Sequence, residues 1–328
     1  EVKFEAKVTS IANDVTVAIK QSFGLEDAGR DGTTGAVTTD SAKNGISLNI
    51  KVTSDDKDGS EKYNIDLKEI PAGAKIYYNG VIIDENYKSN SNFTINKSGS
   101  TWSVEIKDFK NDLDLKYIPE HNSNKDVTLK VDAWSEDGTN IGKKLPNLDI
   151  NVKVTGVADT PTHADTIEVK ETDTDGNEHT YNKVIVEDTS SVYLKDLFTA
   201  SKPNFTSSDI AGGDGSEKLF VTIKNVPAGF DIIGAKKVGD EWIVEADKFD
   251  NVQLTIPTNY SGEIKLNLAL QTVEDDGDKS KVVDIPLSIL VTPETNDGTV
   301  NNSATQNEDD QDTTLSFEYS NGGDTNET

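Results

Sequence analysis

The chain has 328 residues, no cysteine, and 59 Asp and Glu against 32 Lys and Arg, a formal charge of −27. Such a field repels nucleic acid and anionic membrane and favours bound cations. The absence of cysteine excludes disulfide staples and thiolate chemistry, and no apolar run approaches the ~18 residues of a membrane span.

Hydrophobic residues make up 34%, low for a globular protein but too many for a chain disordered throughout. The chain does not open on Met and shows no signal peptide, so Glu1 reads as a processed or excised end.

Taken in chain order, the apolar residues alternate with period two, the mark of strands with one buried and one wet face. In "YNIDLKEI", Tyr63, Ile65 and Leu67 point one way while Asn64, Asp66 and Lys68 point the other. "WSVEIKDF" (102–109), "VTLKVDAW" (127–134) and "LDINVKV" (148–154) repeat the pattern. Strands are expected at 15–21, 46–53, 62–70, 101–107, 112–118, 126–134 and 146–154, with a second set from 165 to 291. Only "SSVYLKDLF" (190–198) suggests a short turn of helix. Many short strands punctuated by Gly, Asn, Asp and Pro predict an all-β protein of tandem Ig-like or cadherin-like seven-stranded β-sandwiches.

The second set copies the first. "DGSEK" at 58–62 returns at 214–218, and "EIPAGAKI" (69–76) returns as "NVPAGFDI" (225–232), both offset by 156 residues. "WSVEIKDFKNDLDLKYIP" (102–119) matches "WIVEADKFDNVQLTIP" (242–257), "WSEDG" (134–138) matches "TVEDDG" (272–277), and "VKVTGVADTP" (152–161) matches "SILVTPETND" (288–297). Landmarks in one order define a tandem repeat. The segment 5–15, "EAKVTSIANDV", resembles a closing strand and linker, and 307–327 resembles the opening of a further unit. The expected organisation is 1–12 as the last strand of a preceding repeat, 13–157 and 158–293 as two sandwiches, and 294–328 as a linker and the start of another. A stray terminal strand could also complete a neighbouring chain.

Acid recurs at equivalent turns. Asp14 lies in the incoming linker, Asp56, Asp58 and Glu61 follow the second strand, and Glu136 and Asp137 precede the last. The second unit repeats this with Asp159, with Asp209, Asp214 and Glu217, and with Glu274, Asp275 and Asp276. The pair Glu26-Asp27 follows the first strand and recurs as Glu187-Asp188 and Glu308-Asp309; Asp297 sits in the second linker. Loop parity in a seven-stranded sandwich gathers these acids at each domain junction. Two carboxylates ~4 Å apart repel by about 4 kcal/mol near a protein surface, and nearby Lys and Arg are too few to neutralise them. Several Ca²⁺ ions would, since calcium takes 6–8 oxygens in flexible geometry, whereas Mg²⁺ demands stricter octahedra. Zinc or copper would want Cys or His, and His121, His163 and His179 show no ligand spacing. Asp173, Asp175 and Glu178 in "DTDGNE" share the spacing of Asp56 to Glu61, and read equally as a metal loop or a plain hairpin turn.

These turns, together with "EDAG"/"EDTS", "IPAG"/"VPAG", the Trp strands and the "GVADTP" linker, resemble the repeats of giant bacterial adhesins secreted by the type I (RTX) route, and more distantly cadherin domains. The resemblance covers roughly 5–327 and implies calcium-binding β-sandwiches stiffened into an extender on a Gram-negative, biofilm-forming cell surface, with adjacent repeats or neighbouring chains as partners. The long stretches 28–45 and 171–186 and the linker "TPETNDG" depart from it.

Two other readings compete. Tyr77, Tyr78, Tyr87 and Phe93 in 77–93 have a composition suited to a host or surface glycan or protein ligand, although Tyr77 and Phe93 read more simply as strand residues of an ordinary insert. Carboxylates could serve a glycosidase, but acids repeated in both units suit a scaffold rather than a single catalytic centre. No phosphate-cradling Gly loop or nucleophile–His pattern is present. The chain is therefore read as a non-enzyme.

Overall fold

The computed structural model describes residues 3–5, 7–32, 34–200, 202–294, 299–303 and 316–320. By their contacts the residues fall into two compact units. The first is Glu1–Asp159 with Ser208–Lys218 and Val273–Lys279; the second is Thr160–Ser207, Leu219–Thr272 and Ser280–Thr328.

The first unit holds β1 (Val15–Lys20), β2 (Ser22–Leu25), a single-turn helix α1 (Thr39–Ala42), β3 (Ile46–Ser47), β4 (Asn49–Ser54), β5 (Lys62–Pro71), β6 (Lys75–Tyr78) and β7 (Val81–Ile83). It continues through β8 (Phe93–Ser98), β9 (Thr101–Phe109), β10 (Leu115–Ile118), β11 (Val127–Asp137), β12 (Asn140–Ile141) and β13 (Leu145–Thr155). One sheet runs β2-β13-β11-β5-β9-β8, with β12 pairing β11; the other layer comprises β3-β10-β6-β7 and the β1-β4 pair. Their alternate residues meet in one core, in which Ile65, Leu67, Val104, Ile106, Leu129 and Ile150 are fully buried. β2 runs parallel to β13, so its end, Glu26-Asp27, emerges beside the start of the Gly156–Asp159 linker.

The second unit holds the hairpin β14 (Val169–Thr172) and β15 (Glu178–Tyr181), then β16 (Lys183–Val186), β17 (Ser191–Tyr193), a 3-10 turn Leu194–Leu197, and the single-turn helix α2 (Ser208–Gly212), whose residues count with the first unit. There follow β18 (Glu217–Lys224), β19 (Asp231–Ile233), β20 (Lys236–Val238), β21 (Glu241–Glu245), β22 (Gln253–Thr255), β23 (Gly262–Glu274) and β24 (Val283–Thr292). The sheet β16-β24-β23-β18-β21-β20 faces β17-β22-β19 across a core that includes Leu197, Val221, Phe249, Leu254, Ile264 and Ile289. β25 (Thr299–Ser303) and β26 (Ser316–Ser320) pair with each other.

The fold is thus all-β and Ig-like, and the expected alternation becomes the buried faces of both sandwiches. Period-two reading missed β2, a four-residue strand too short to show a period. The stretch between 70 and 101 holds β6–β8, and Tyr77 and Phe93 are strand residues there, as the simpler reading of that insert expects. "SVYLKDLF" does contain one turn of helix. Tyr78 and Tyr87 pack edge-on against Phe93, at ring centroid distances of 6.4 and 5.9 Å, and Tyr77 is buried beside Ile118. Tyr77, Tyr78 and Phe93 are therefore buried, and Tyr87 packs half-buried against the core.

Candidate metal centre

The densest acid lies within the first unit. Glu26 follows β2, and its backbone N–H continues the parallel ladder to the Thr155 carbonyl at 2.9 Å. From there the linker threads through carboxylates. Four consecutive backbone N–H groups each donate to a different acid: Gly156 to Asp276 (2.9 Å), Val157 to Glu26 (2.7 Å), Ala158 to Asp278 (3.0 Å) and Asp159 to Glu217 (2.6 Å). Asp159 in turn accepts from the Ser208 hydroxyl and from the Asp209 N–H at 3.1 Å, at the start of α2.

Some of this charge is matched. Asp27 accepts from the Asn122 N–H at 3.1 Å and lies 3.6 Å from the Arg30 guanidinium, whose other nitrogens donate to Gly35 and Pro119 carbonyls. Burial lowers the pKa of Arg30, while Asp27 and Glu120 support its charge. Asp214 accepts from the Ser123 hydroxyl at 3.0 Å, with Lys125 at 3.8 Å. Burial raises its pKa, but hydrogen bonds from Ser216 and Ser123, aided by Lys125, hold it below the ordinary carboxylate value.

Three acids are not matched. Glu26, Asp209 and Glu274 are each 2% exposed. Glu26 Oε2, Asp209 Oδ1 and Glu274 Oε1 are buried with no hydrogen-bond partner. Burial pushes Glu26 up to about 8; the Val157 N–H offsets this in part, while Glu274, Asp209 and Asp27 add to it. Burial pushes Asp209 to about 6, with Glu217, Asp214 and Asp159 adding repulsion. Burial likewise pushes Glu274 to about 7; Ser216 offsets it, and Asp209, Glu217 and Asp276 raise it further. Buried polar atoms without partners are rare because each costs ~1–3 kcal/mol, more when charged. Glycines let the backbone come this close. An ideal Cβ on Gly156 would stand 2.8 Å from Glu274, and one on Gly213 would fall 1.4 Å from Asp209 Oδ1.

The remaining predicted residues fall into four groups. Around 10–14, Glu61 accepts from the Asn13 N–H and the Ser54 hydroxyl, the counterpart of Glu217 and Asp159. Asn13, not Asp14, thus takes the linker position; Asp14 is exposed. Asp56 and Asp58 accept the turn's own N–H groups, from Gly59 and Ser60, at 2.9 Å each. Glu136 accepts from the Trp134 indole at 3.3 Å, and Asp137 ends β11 half-buried.

In the second unit, Glu187 and Asp188 reproduce Glu26 and Asp27. The Glu187 N–H donates to the Thr292 carbonyl, Glu187 accepts from the Glu294 N–H at 2.6 Å, and Asp188 accepts from the Asn259 N–H at 3.1 Å. Glu187 Oε2 is again buried without a partner. The "DTDGNE" turn differs: Asp173 accepts from the Asp175 and Asn177 N–H groups and from His179, while Glu178 pairs with Lys170 at 2.7 Å. The His179 hydrogen bond, ahead of those from Asn177, holds Asp173 well below the usual carboxylate range. That turn satisfies itself as a hairpin. Asp275 is exposed, and Asp297, Glu308 and Asp309 lie outside the described residues.

Residue reading missed Asp278, although it extends the "EDDGD" acid run. It also missed Asn122–Lys125 and Arg30, whose role depends on tertiary placement and carries no local signal. Among the described residues, no group of three or more Asp, Glu or His stands close enough as placed to hold a metal ion, and no helix is long and apolar enough to cross a membrane.

No family model matches the sequence, and no curated protein matches it. Among solved structures, the chain is similar to the major pilin subunit of Bacillus cereus, with 13% identity over 85% of this chain, 66% of the pilin's length, and a TM-score of 0.25. It is also similar to fibronectin(III)-like modules of Clostridium thermocellum CbhA, with 12% identity over 85% of this chain and 95% of the other, at a TM-score of 0.20. A tandem from titin gives 10% identity over 88% of this chain and 69% of the other, at 0.17.

Proposed function

We propose that this chain is a calcium-stiffened extender segment of a bacterial cell-surface adhesin. The observation that carries this reading is the set of three buried carboxylate oxygens, on Glu26, Asp209 and Glu274, that have no hydrogen-bond partner. A hard dication accepts such oxygens, and calcium's loose geometry suits donors drawn from separate loops. Glu26, Asp209 and Glu274, joined by Asp159, Glu217 and Asp276, would hold it. Asp27 and Asp214 already have cationic neighbours and would contribute less. When bound, calcium supplies positive charge where the fold concentrates negative charge. The protein's own part is to fix the linker, by four N–H bonds, among the acids that would take the ion.

The test is calorimetric titration of the chelator-stripped chain with Ca²⁺, paired with small-angle scattering. Saturable binding and a stiffer profile in calcium support the reading. No binding at millimolar calcium, or an unchanged profile, ends it.

A second reading, a structural subunit joined by strand exchange, is favoured by one observation. Phe4, Val8 and Ile11, in the segment whose sequence resembles β13, are 91%, 93% and 72% exposed. Concentration-dependent association that is lost in Phe4→Asp/Val8→Asp would support it.

A further inference from the structure

On the outer face of the larger sheet of the first unit, three side chains from neighbouring strands converge. Lys68 on β5 points its Nζ at the Asn147 carboxamide oxygen on β13, 2.6 Å away. Asp132, on the intervening β11, holds the same Nζ at 2.6 Å through Oδ1 and accepts the Asn147 N–H at 2.8 Å. The Asp132 side chain is 7% exposed. The β11–β13 register shifts between Val131 and Ala133, and Asn147 adopts a φ of +55° there. That bulge re-aims a side chain, as bulges do, and here it delivers a carboxamide to an amine across the middle strand. Lys144 reaches the other oxygen of Asp132 at 2.9 Å, so the carboxylate is pinned from both sides.

We propose that Lys68 and Asn147 become joined by an intramolecular isopeptide bond, with Asp132 moving the proton. An amine, a carboxamide and a carboxylate in contact are the full set of reactants. Asp132 accepts a proton from Lys68, and the freed Nζ lone pair attacks Asn147 Cγ. That proton goes to the carboxamide nitrogen, Asp132 takes the second proton that Nζ sheds, the Cγ–Nδ2 bond breaks, and the leaving ammonia carries the second proton away as ammonium as the Nζ–Cγ amide forms. No oxidant or co-reactant is needed. Intramolecular positioning supplies a large effective concentration, and one turnover per molecule is enough, so a rarely populated neutral amine suffices. The bond would tie β5 to β13 over β11, which no backbone ladder between those two strands does.

Mass spectrometry of the denatured, chelator-treated full chain decides it. The expected mass is about 17 Da below the sequence mass, the loss of one ammonia, with the tryptic peptides carrying Lys68 and Asn147 recovered as one linked species. Lys68→Arg keeps a cation against Asp132 but should show the full sequence mass and melt lower, by on the order of 10 °C. Asp132→Asn should slow or abolish the mass loss. A wild-type chain at full sequence mass, with Lys68 in a linear peptide, overturns the proposal. That reading needs no variant to fold, and calcium binding does not affect it.

Discussion

Asp58-Gly59-Ser60-Glu61 and Asp214-Gly215-Ser216-Glu217 have one sequence and two fates. In the first, Asp58 is exposed and spends its oxygen on the turn's own N–H. In the second, Glu217 is buried and Asp214 is held by Ser123 and Lys125. The turns are chemically equal; their neighbours differ. Glu26, Asp27 and the Asn122–Lys125 loop lie about the second turn, whereas Asn13 and Ser54 serve Glu61 at the first. A motif sets local geometry, and desolvation by its surroundings decides whether its carboxylates need a cation.

Several experiments would break or sharpen that contrast. The largest effect should come from removing calcium. Chelation should lower the melting temperature by on the order of 10 °C, as expected if more than one site is lost at saturating ion. Asp209→Asn or Glu274→Gln should erase most of that calcium response while raising the melting temperature in chelator, because like-charge repulsion is removed. A fall in both conditions would mean that the acid cluster is not repulsive. Gly213→Ala comes next: its Cβ would collide with Asp209, costing ~1–3 kcal/mol by urea unfolding, with calcium affinity lost alongside.

The pH response follows. Folded-state values of about 8, 7 and 6 for Glu26, Glu274 and Asp209 lie above the unfolded ones. The folded state therefore binds more protons between roughly pH 4 and 8, and stability must fall as pH rises through that window. Thermal melts in chelator should show that fall, and calcium should flatten it. The smallest effect belongs to the exposed turn: Asp58→Asn should shift stability by less than ~0.5 kcal/mol, with or without calcium.

Much of the fold was legible because alternation is a direct consequence of the pleat. Trp102, Val104 and Ile106, read as one face, are all buried. The repeat was also legible, and Glu26 and Glu187 accept from equivalent linker N–H groups, those of Val157 and Glu294. The acids could be placed in loops, but their burial could not be read, since it depends on Arg30, Asn122 and Gly156 arriving from distant positions. "DTDGNE" and "DKDGSE" look alike in sequence; only the fold shows that His179 and Lys170 serve the former. Asp278 was within reach of simple counting.

The linker presents its main chain, not its side chains, to the carboxylates, and this frees its composition. Val157 could be exchanged for almost any residue without loss of its N–H, and Glu294 already fills the matching role in "TPETNDG". Proline is the exception. Pro293, at the place of Gly156, has no N–H to give, so the second linker offers one backbone donor fewer than the first.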